Sequence, residues 1–317
     1  MYHYVRPIRR SKFPNIKGRE YEDFVAQVKY LRHNYNMVTR EQILEAMEGS
    51  ELPTQAALLT FDDGFCDHYE FVFPLLQTEN IQGWFFPPAK PVVDHTVLDV
   101  HKIHFILAAA DIERISCDLM RCIAEFRGEF GIPSESALRA TIDCESRFDS
   151  REVIFVKRLL QRELPEKLRA TLTDQLFRTY VSADEVDFAT QLYVSQDQLR
   201  IMTQEGMYVG SHGWSHRWLN TLSNSQQEDE VRLSCQFLAS IGAPTDKWVM
   251  SYPYGAYDEK LIEVLGEYGC SLGVTTEPRI AAVKRENAFV LPRLDTNDLP
   301  VTDSSEATTA LGRIKHV

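Results

Sequence analysis

The sequence predicts an α/β protein built from repeated strand–helix units and interrupted by a long, mainly helical insertion. Three observations carry this. Short apolar runs, from Ala56 to Phe61 and from Gln82 to Pro87, read as buried parallel strands. Between and after them the apolar spacing switches to a helical period. From about residue 93 to residue 192 strand signal nearly vanishes, and the alternation then resumes.

In order along the chain, Tyr2 to Val5 reads as a first short strand. From Glu20 to Arg32, apolar side chains at Tyr21, Phe24, Val25, Val28 and Leu31 keep a helical period. Thr39 stands where the stretch Val38 to Glu41 turns into a helix, the place for an N-cap. The apolar run from Ala56 ends at Asp62-Asp63-Gly64, and a helix from about Cys66 to Gln77 follows. In the insertion, Val100 to Ala110, Ile115 to Phe126 and Glu152 to Leu164 read as helices. Afterwards helices from Gln196 to Glu205, Ser225 to Ile241 and Asp258 to Tyr268 are expected. They alternate with strands from Met207 to Ser211, Trp248 to Tyr252, Ser271 to Thr275 and Phe289 to Leu294. The tail, 301–317, is polar and expected to be loose. No G-x-G-x-x-G follows the first strand, so a dinucleotide-binding fold has no support.

The net charge of −12 argues against a nucleic-acid partner. The six cysteines, Cys66, Cys117, Cys122, Cys144, Cys235 and Cys270, form no C-x-x-C pair. They are expected to be reduced, mostly buried thiols, which disfavours a Cys-ligated zinc. No stretch approaches the ~18 apolar residues that span a bilayer. The N-terminal Met1-Tyr2-His3-Tyr4-Val5-Arg6 lacks a basic-then-apolar signal layout, so a cytoplasmic protein is expected.

Three short motifs carry chemistry. Thr60-Phe61-Asp62-Asp63-Gly64 closes a predicted strand, where the catalytic face of a (β/α) barrel lies. Of two adjacent carboxylates, one can hold a cation while the other serves as base; a helix N-cap fits the same residues. His212-Gly213-Trp214-Ser215-His216 follows another strand, and its H-x-x-x-H spacing lets both imidazoles converge on one metal. A pair of surface histidines is the alternative. Trp214 and Trp218 flank them as pocket walls. In Tyr252-Pro253-Tyr254-Gly255 the proline and glycine set a turn that can aim a peptide N–H into a site, or merely join a strand to a helix.

In this order, TFDDG at 60–64, HGWSH at 212–216 and YPYG at 252–255 resemble the polysaccharide deacetylase family, of the NodB-homology or carbohydrate esterase family 4 type. The opening Tyr2-His3-Tyr4-Val5 and Phe85-Phe86 look like that family's early strands. The resemblance covers 1–92 and 193–295. It implies a distorted (β/α) barrel over 1–92 and 193–300, with 93–192 inserted as a mostly helical cap. It further implies Asp62 as general base, Asp63, His212 and His216 as ligands of one divalent metal, and the Tyr254 backbone N–H as oxyanion donor. Zinc is the first expectation for the metal, with cobalt, nickel or iron as alternatives. The implied reaction removes an N-acyl group, acetyl first and formyl second, from an amino sugar.

The chain also departs from the family. The arginine of the usual R-x-P-Y is Ser251, and the late histidine that serves as general acid has no counterpart before His316. The Y-P-Y-G form resembles the branch that includes the poly-N-acetylglucosamine deacetylases. Arg293, in Leu291-Pro292-Arg293-Leu294-Asp295, is suggested to replace the missing arginine and orient Asp62. His3, or His101 and His104 three apart on a predicted helix, are candidates to bind substrate or protonate the amine. His68 reads as the exposed first turn of a helix. A cap favours a small enclosed substrate, such as a nucleotide sugar or a glycan precursor. Arg114, Arg121, Arg127 and Arg139 could meet a phosphate or simply solvate a helix face. An O-acyl esterase, another C–N hydrolase or a non-catalytic sugar-binding protein remain the alternatives on the same fold; the oligomeric state is not legible.

Overall fold

The computed structural model describes residues 1–143, 146 and 149–301. Cys144, His316 and the polar tail from residue 302 onward lie outside the described residues.

The chain divides into two compact units. The first comprises 1–7, 18–95 and the chain from 189 onward; the second comprises 8–17 and 96–188.

The first unit is α/β. Strands Leu59–Asp62, Gly83–Phe86 and Tyr208–Val209 form one parallel sheet, with Leu59 opposite Gly83 and Trp84 opposite Tyr208. Strands Trp248–Ser251 and Cys270–Val274 form a second parallel pair. Single parallel bridges extend the row, from Tyr2 to Phe61, from Ser211 to Met250 and from Val274 to Leu291. The Met1 ammonium donates to the Leu294 carbonyl (2.8 Å), and the Thr296 N–H donates to the Met1 carbonyl (3.2 Å). The ladder between neighbouring segments is therefore complete in places and a single bridge elsewhere.

Strands Leu59–Asp62, Gly83–Phe86 and Trp248–Ser251 are buried along their whole length, as in parallel sheets covered on both faces. Tyr2, Phe61 and Phe85 stack in sequence across neighbouring strands at 5.3 and 4.9 Å. Helix Tyr21–Asn34 buries Phe24, Val28 and Leu31, the helical stripe of the sequence. Thr39 caps helix Arg40–Met47 in a full capping box with Gln42. After the Asp62-Asp63-Gly64 turn the chain enters a π-turn, His68–Val72, before the short helix Phe73–Thr78 with Pro74 in its first turn.

The second unit is helical. Helices Asp99–Ala109, Ile112–Phe130, Arg151–Arg158 and Glu166–Tyr180 surround a core that includes Ile106, Ile115, Leu119, Phe155, Leu172 and Phe177. Lys102, almost wholly buried, is held by Asp174 (2.6 Å) and Glu185 (2.9 Å), the arrangement a buried ammonium requires. Among the described residues no helix is long and apolar enough to cross a membrane.

Three expectations need correction. The stretch from Phe289 to Leu294 is not a strand: only Leu291 bridges a neighbour, and Pro292 has no N–H to continue the ladder. Of the five described cysteines only Cys270 is buried, because the others sit on partly solvated turns and helix faces. His68 is not on an exposed turn but fully buried, ringed by Phe61, Phe65 and Phe85.

Candidate active site

The two aspartates of the first motif leave the strand end in different directions because their backbones are bonded to different neighbours. The Asp62 N–H donates to the Tyr2 carbonyl (2.9 Å), and the Asp63 N–H to the Phe86 carbonyl (3.1 Å). Asp63 adopts φ +75°, and Gly64 follows at φ +62°. A Cβ on Gly64 would lie 2.6 Å from the Pro87 Cβ, so the turn admits only glycine there.

Asp63, His212 and His216 are all buried and converge, their donor atoms lying within 4.8 Å of one another. The Asp63 carboxylate oxygen Oδ1 lies 3.5 Å from His212 Nε2 and 3.3 Å from His216 Nε2. A tetrahedral ion about 2.0–2.1 Å from each ligand sets such atoms about 3.3 Å apart, so the spacing fits. The His212 Nδ1 shares a 2.7 Å hydrogen bond with the Ser251 carbonyl. As donor there, Nδ1 carries the ring proton and leaves the Nε2 lone pair facing Asp63. Burial pushes the His212 imidazole down to about 4, against the opposing pull of Asp62, so at neutral pH it is uncharged, as a ligand must be.

The loop between the histidines has its own anchor. Glu230, on helix Asn224–Ser240, is buried and accepts from the backbone N–H groups of Trp214 and Ser215, both at 2.9 Å, and from the Ser215 hydroxyl. Helix and loop are thereby tied together, and His216 is held at φ +56°. Sequence reasoning missed Glu230. The available signal was a polar stripe at helical spacing, Gln227, Glu230 and Ser234, all on the buried face.

Asp62 points elsewhere, into a guanidinium. Arg293 donates from Nη1 to Asp62 Oδ1 (2.9 Å) and from Nη2 to Oδ2 (2.7 Å). Its remaining N–H groups reach Thr60 Oγ1 (3.1 Å), Ser251 Oγ (3.0 Å) and the Thr275 carbonyl (2.9 Å). All five donors of the fork are thus used. Burial acts to raise the Asp62 carboxyl, but the charge and hydrogen bonds of Arg293, with His212, overcome it and hold the group far below the usual carboxylate range.

Tyr254 lies in a 3₁₀ turn, Pro253–Gly255, at φ +59°. Three non-glycine residues of the site, Asp63, His216 and Tyr254, therefore occupy the left-handed region, which costs about 1–3 kcal/mol each and clusters at functional sites. The Tyr254 ring meets His216 edge-on (4.8 Å) and stacks on Trp218 (4.4 Å, 3° between planes). Trp214 is half-buried against the first unit's core. His3 is half-buried; its carbonyl takes the hydrogen bond of His68 Nε2 (2.8 Å), and it lies within electrostatic reach of Asp62. His101 and His104 belong to helix Asp99–Ala109 of the second unit, their rings 5.9 Å apart, His101 fully buried.

A family model for polysaccharide deacetylase matches residues 170–273, which include both histidines and Tyr254 but not the two aspartates. The "Putative polysaccharide deacetylase YxkH" of Bacillus subtilis (strain 168) is 30% identical over 102 residues, 32% of this chain and 36% of that protein. The matched stretch thus spans little more than a third of that relative's length. Among solved structures, the Streptococcus pyogenes deacetylase PplD in complex with acetate shares the fold with a TM-score of 0.56 at 16% identity, over 92% of this chain and 88% of that one. A de-N-acetylase from Aggregatibacter actinomycetemcomitans gives 0.54 at 17% identity, over 99% and 97%.

Proposed function

We propose that the chain, whose residues 170–273 match the polysaccharide deacetylase model, hydrolyses an N-acyl group, acetyl before formyl, from an amino sugar. The first unit would supply the distorted (β/α) barrel, and one divalent ion, zinc first, would complete the site. The single observation that carries this reading is the buried, converging trio of Asp63, His212 and His216 beside an Asp62 clamped by Arg293.

In this reading, Asp63 and the Nε2 atoms of His212 and His216 hold the ion. When bound, it supplies a Lewis acid for the amide carbonyl and acidity for an attacking water. Asp62 is ionised and acceptor-only; it takes the proton of that water at the carboxylate lone pairs Arg293 leaves open. Arg293 fixes the plane of the carboxylate, so attack meets it in one orientation. The Tyr254 backbone N–H, in its left-handed turn, would serve as the oxyanion donor. His3, within electrostatic reach of Asp62, is one candidate to protonate the leaving amine, with His101 and His104 the others.

Metal content tests the reading more directly than a substrate screen. Purified wild type is expected to hold about one transition metal per chain. Asp63→Ala and His216→Ala should each lose it. No bound metal in wild type, even after incubation with zinc or cobalt, would refute the hydrolase reading.

A further inference from the structure

Trp218 is the one aromatic among the exposed large hydrophobic side chains of the described residues, with 48% of its surface open to solvent. It is not loose. The Trp218 carbonyl accepts from the Thr221 N–H (3.0 Å) and hydroxyl (2.7 Å), closing the 3₁₀ turn Leu219–Thr221. Leu219, next in sequence, is fully buried, and its carbonyl is held by Gln227 Nε2 (3.1 Å). One indole face is covered by the parallel Tyr254 ring at 4.4 Å, while 48% of the residue stays open to solvent. Tyr254 in turn touches His216, so two ring contacts connect the open indole to the candidate metal site.

A pre-positioned, half-exposed indole is costly to leave in water and fits a flat ligand with an apolar face. The axial C–H face of a pyranose is such a surface, and its hydroxyls can stay solvated at the rim. We propose that the Trp218–Tyr254 stack is a sugar-binding platform for the residue adjoining the N-acylated one. The assignment rests on the deacetylase reading above. It makes Trp218 a determinant of specificity that favours an oligosaccharide over a single sugar unit, whereas the helical insertion, read as a cap, had suggested a small enclosed substrate.

The test uses the zinc-treated full chain, as wild type, Trp218→Ala and Trp218→Phe. The tetramer of N-acetylglucosamine and the monosaccharide are the probes. Binding is read by calorimetry, and acetate release is read separately. Wild type is expected to bind the tetramer about 10-fold more tightly than the monosaccharide, the scale of one good aromatic stacking contact. Trp218→Ala should erase that preference, and Trp218→Phe should keep most of it. The ratio of kcat/KM for tetramer over monosaccharide should fall in parallel.

If wild type shows no tetramer preference, or Trp218→Ala retains it, the platform is refuted. Acetate released from the tetramer equally well by wild type and Trp218→Ala would likewise refute it while leaving the hydrolase reading standing. A tetramer preference that depends on Trp218, without acetate release, would keep the platform and remove the hydrolase.

Discussion

The Asp62–Arg293 pair lends itself to a double-mutant cycle. Both side chains are almost wholly buried, at 2% and 6% exposure, and share two hydrogen bonds. Replacing Arg293 by Met removes the guanidinium with little change of volume but strands a buried carboxylate. The expected loss is about 3–5 kcal/mol. Asp62→Asn strands the guanidinium instead and sets an amide NH₂ against its donors, for a loss of roughly 2–4 kcal/mol. The double variant removes both charges, so its loss should fall short of the sum by at least about 2 kcal/mol. Urea unfolding in the presence of a chelator measures this without interference from bound metal. All four tryptophans, Trp84, Trp214, Trp218 and Trp248, lie in the first unit, so indole fluorescence follows that unit alone. Additivity of the two single losses within about 0.5 kcal/mol would show that the pair is not the coupled element described here.

Two further outcomes are expected. Glu230→Ala removes the acceptor for two loop N–H groups and the Ser215 hydroxyl; zinc affinity should fall about 10- to 100-fold, measured by competition with a chromophoric chelator, and Glu230→Gln should recover part of it. Unchanged affinity in Glu230→Ala would mean the loop keeps its shape unaided. Tyr252→Phe deletes a buried hydroxyl that has no hydrogen-bond partner among the described residues. Its unfolding free energy in urea should stay or rise, since no bond is lost and a desolvation cost is relieved; a loss of more than about 1 kcal/mol would reveal a partner for that hydroxyl.

What could be read from the sequence was local. The α/β alternation survives because each buried strand is a short apolar run and each helix keeps its own period, as Phe24, Val28 and Leu31 show. The three motifs were legible for the same reason: each chemistry-bearing residue follows a strand end within a few positions. What needed coordinates was every interaction closed across the chain. His68 looked exposed because it follows the Asp-Asp-Gly turn by about one helical turn. The imidazole instead faces inward among Phe61, Phe65 and Phe85, its Nε2 bonded to the His3 carbonyl. Glu230 lies 14 residues beyond His216; the polar stripe Gln227, Glu230 and Ser234 marks a buried polar face but not the Trp214-Ser215 backbone it holds.

Ser251 and Arg293 show how such long-range closure supplies a charge beside Asp62. An arginine at 251 would approach Asp62 from the strand Trp248–Ser251; here that position carries a small hydroxyl, which accepts from Arg293 Nη2 (3.0 Å). The guanidinium enters instead from the segment after Leu291, two strands along the row. Thr60, from the motif strand, and the Thr275 carbonyl, from the end of strand Cys270–Val274, occupy its remaining donors. A serine at 251 and an arginine at 293 are therefore one arrangement: a second long cationic side chain at 251 would compete for the same carboxylate and bury an unpaired charge. The charge beside Asp62 is thus supplied from a position 42 residues after Ser251.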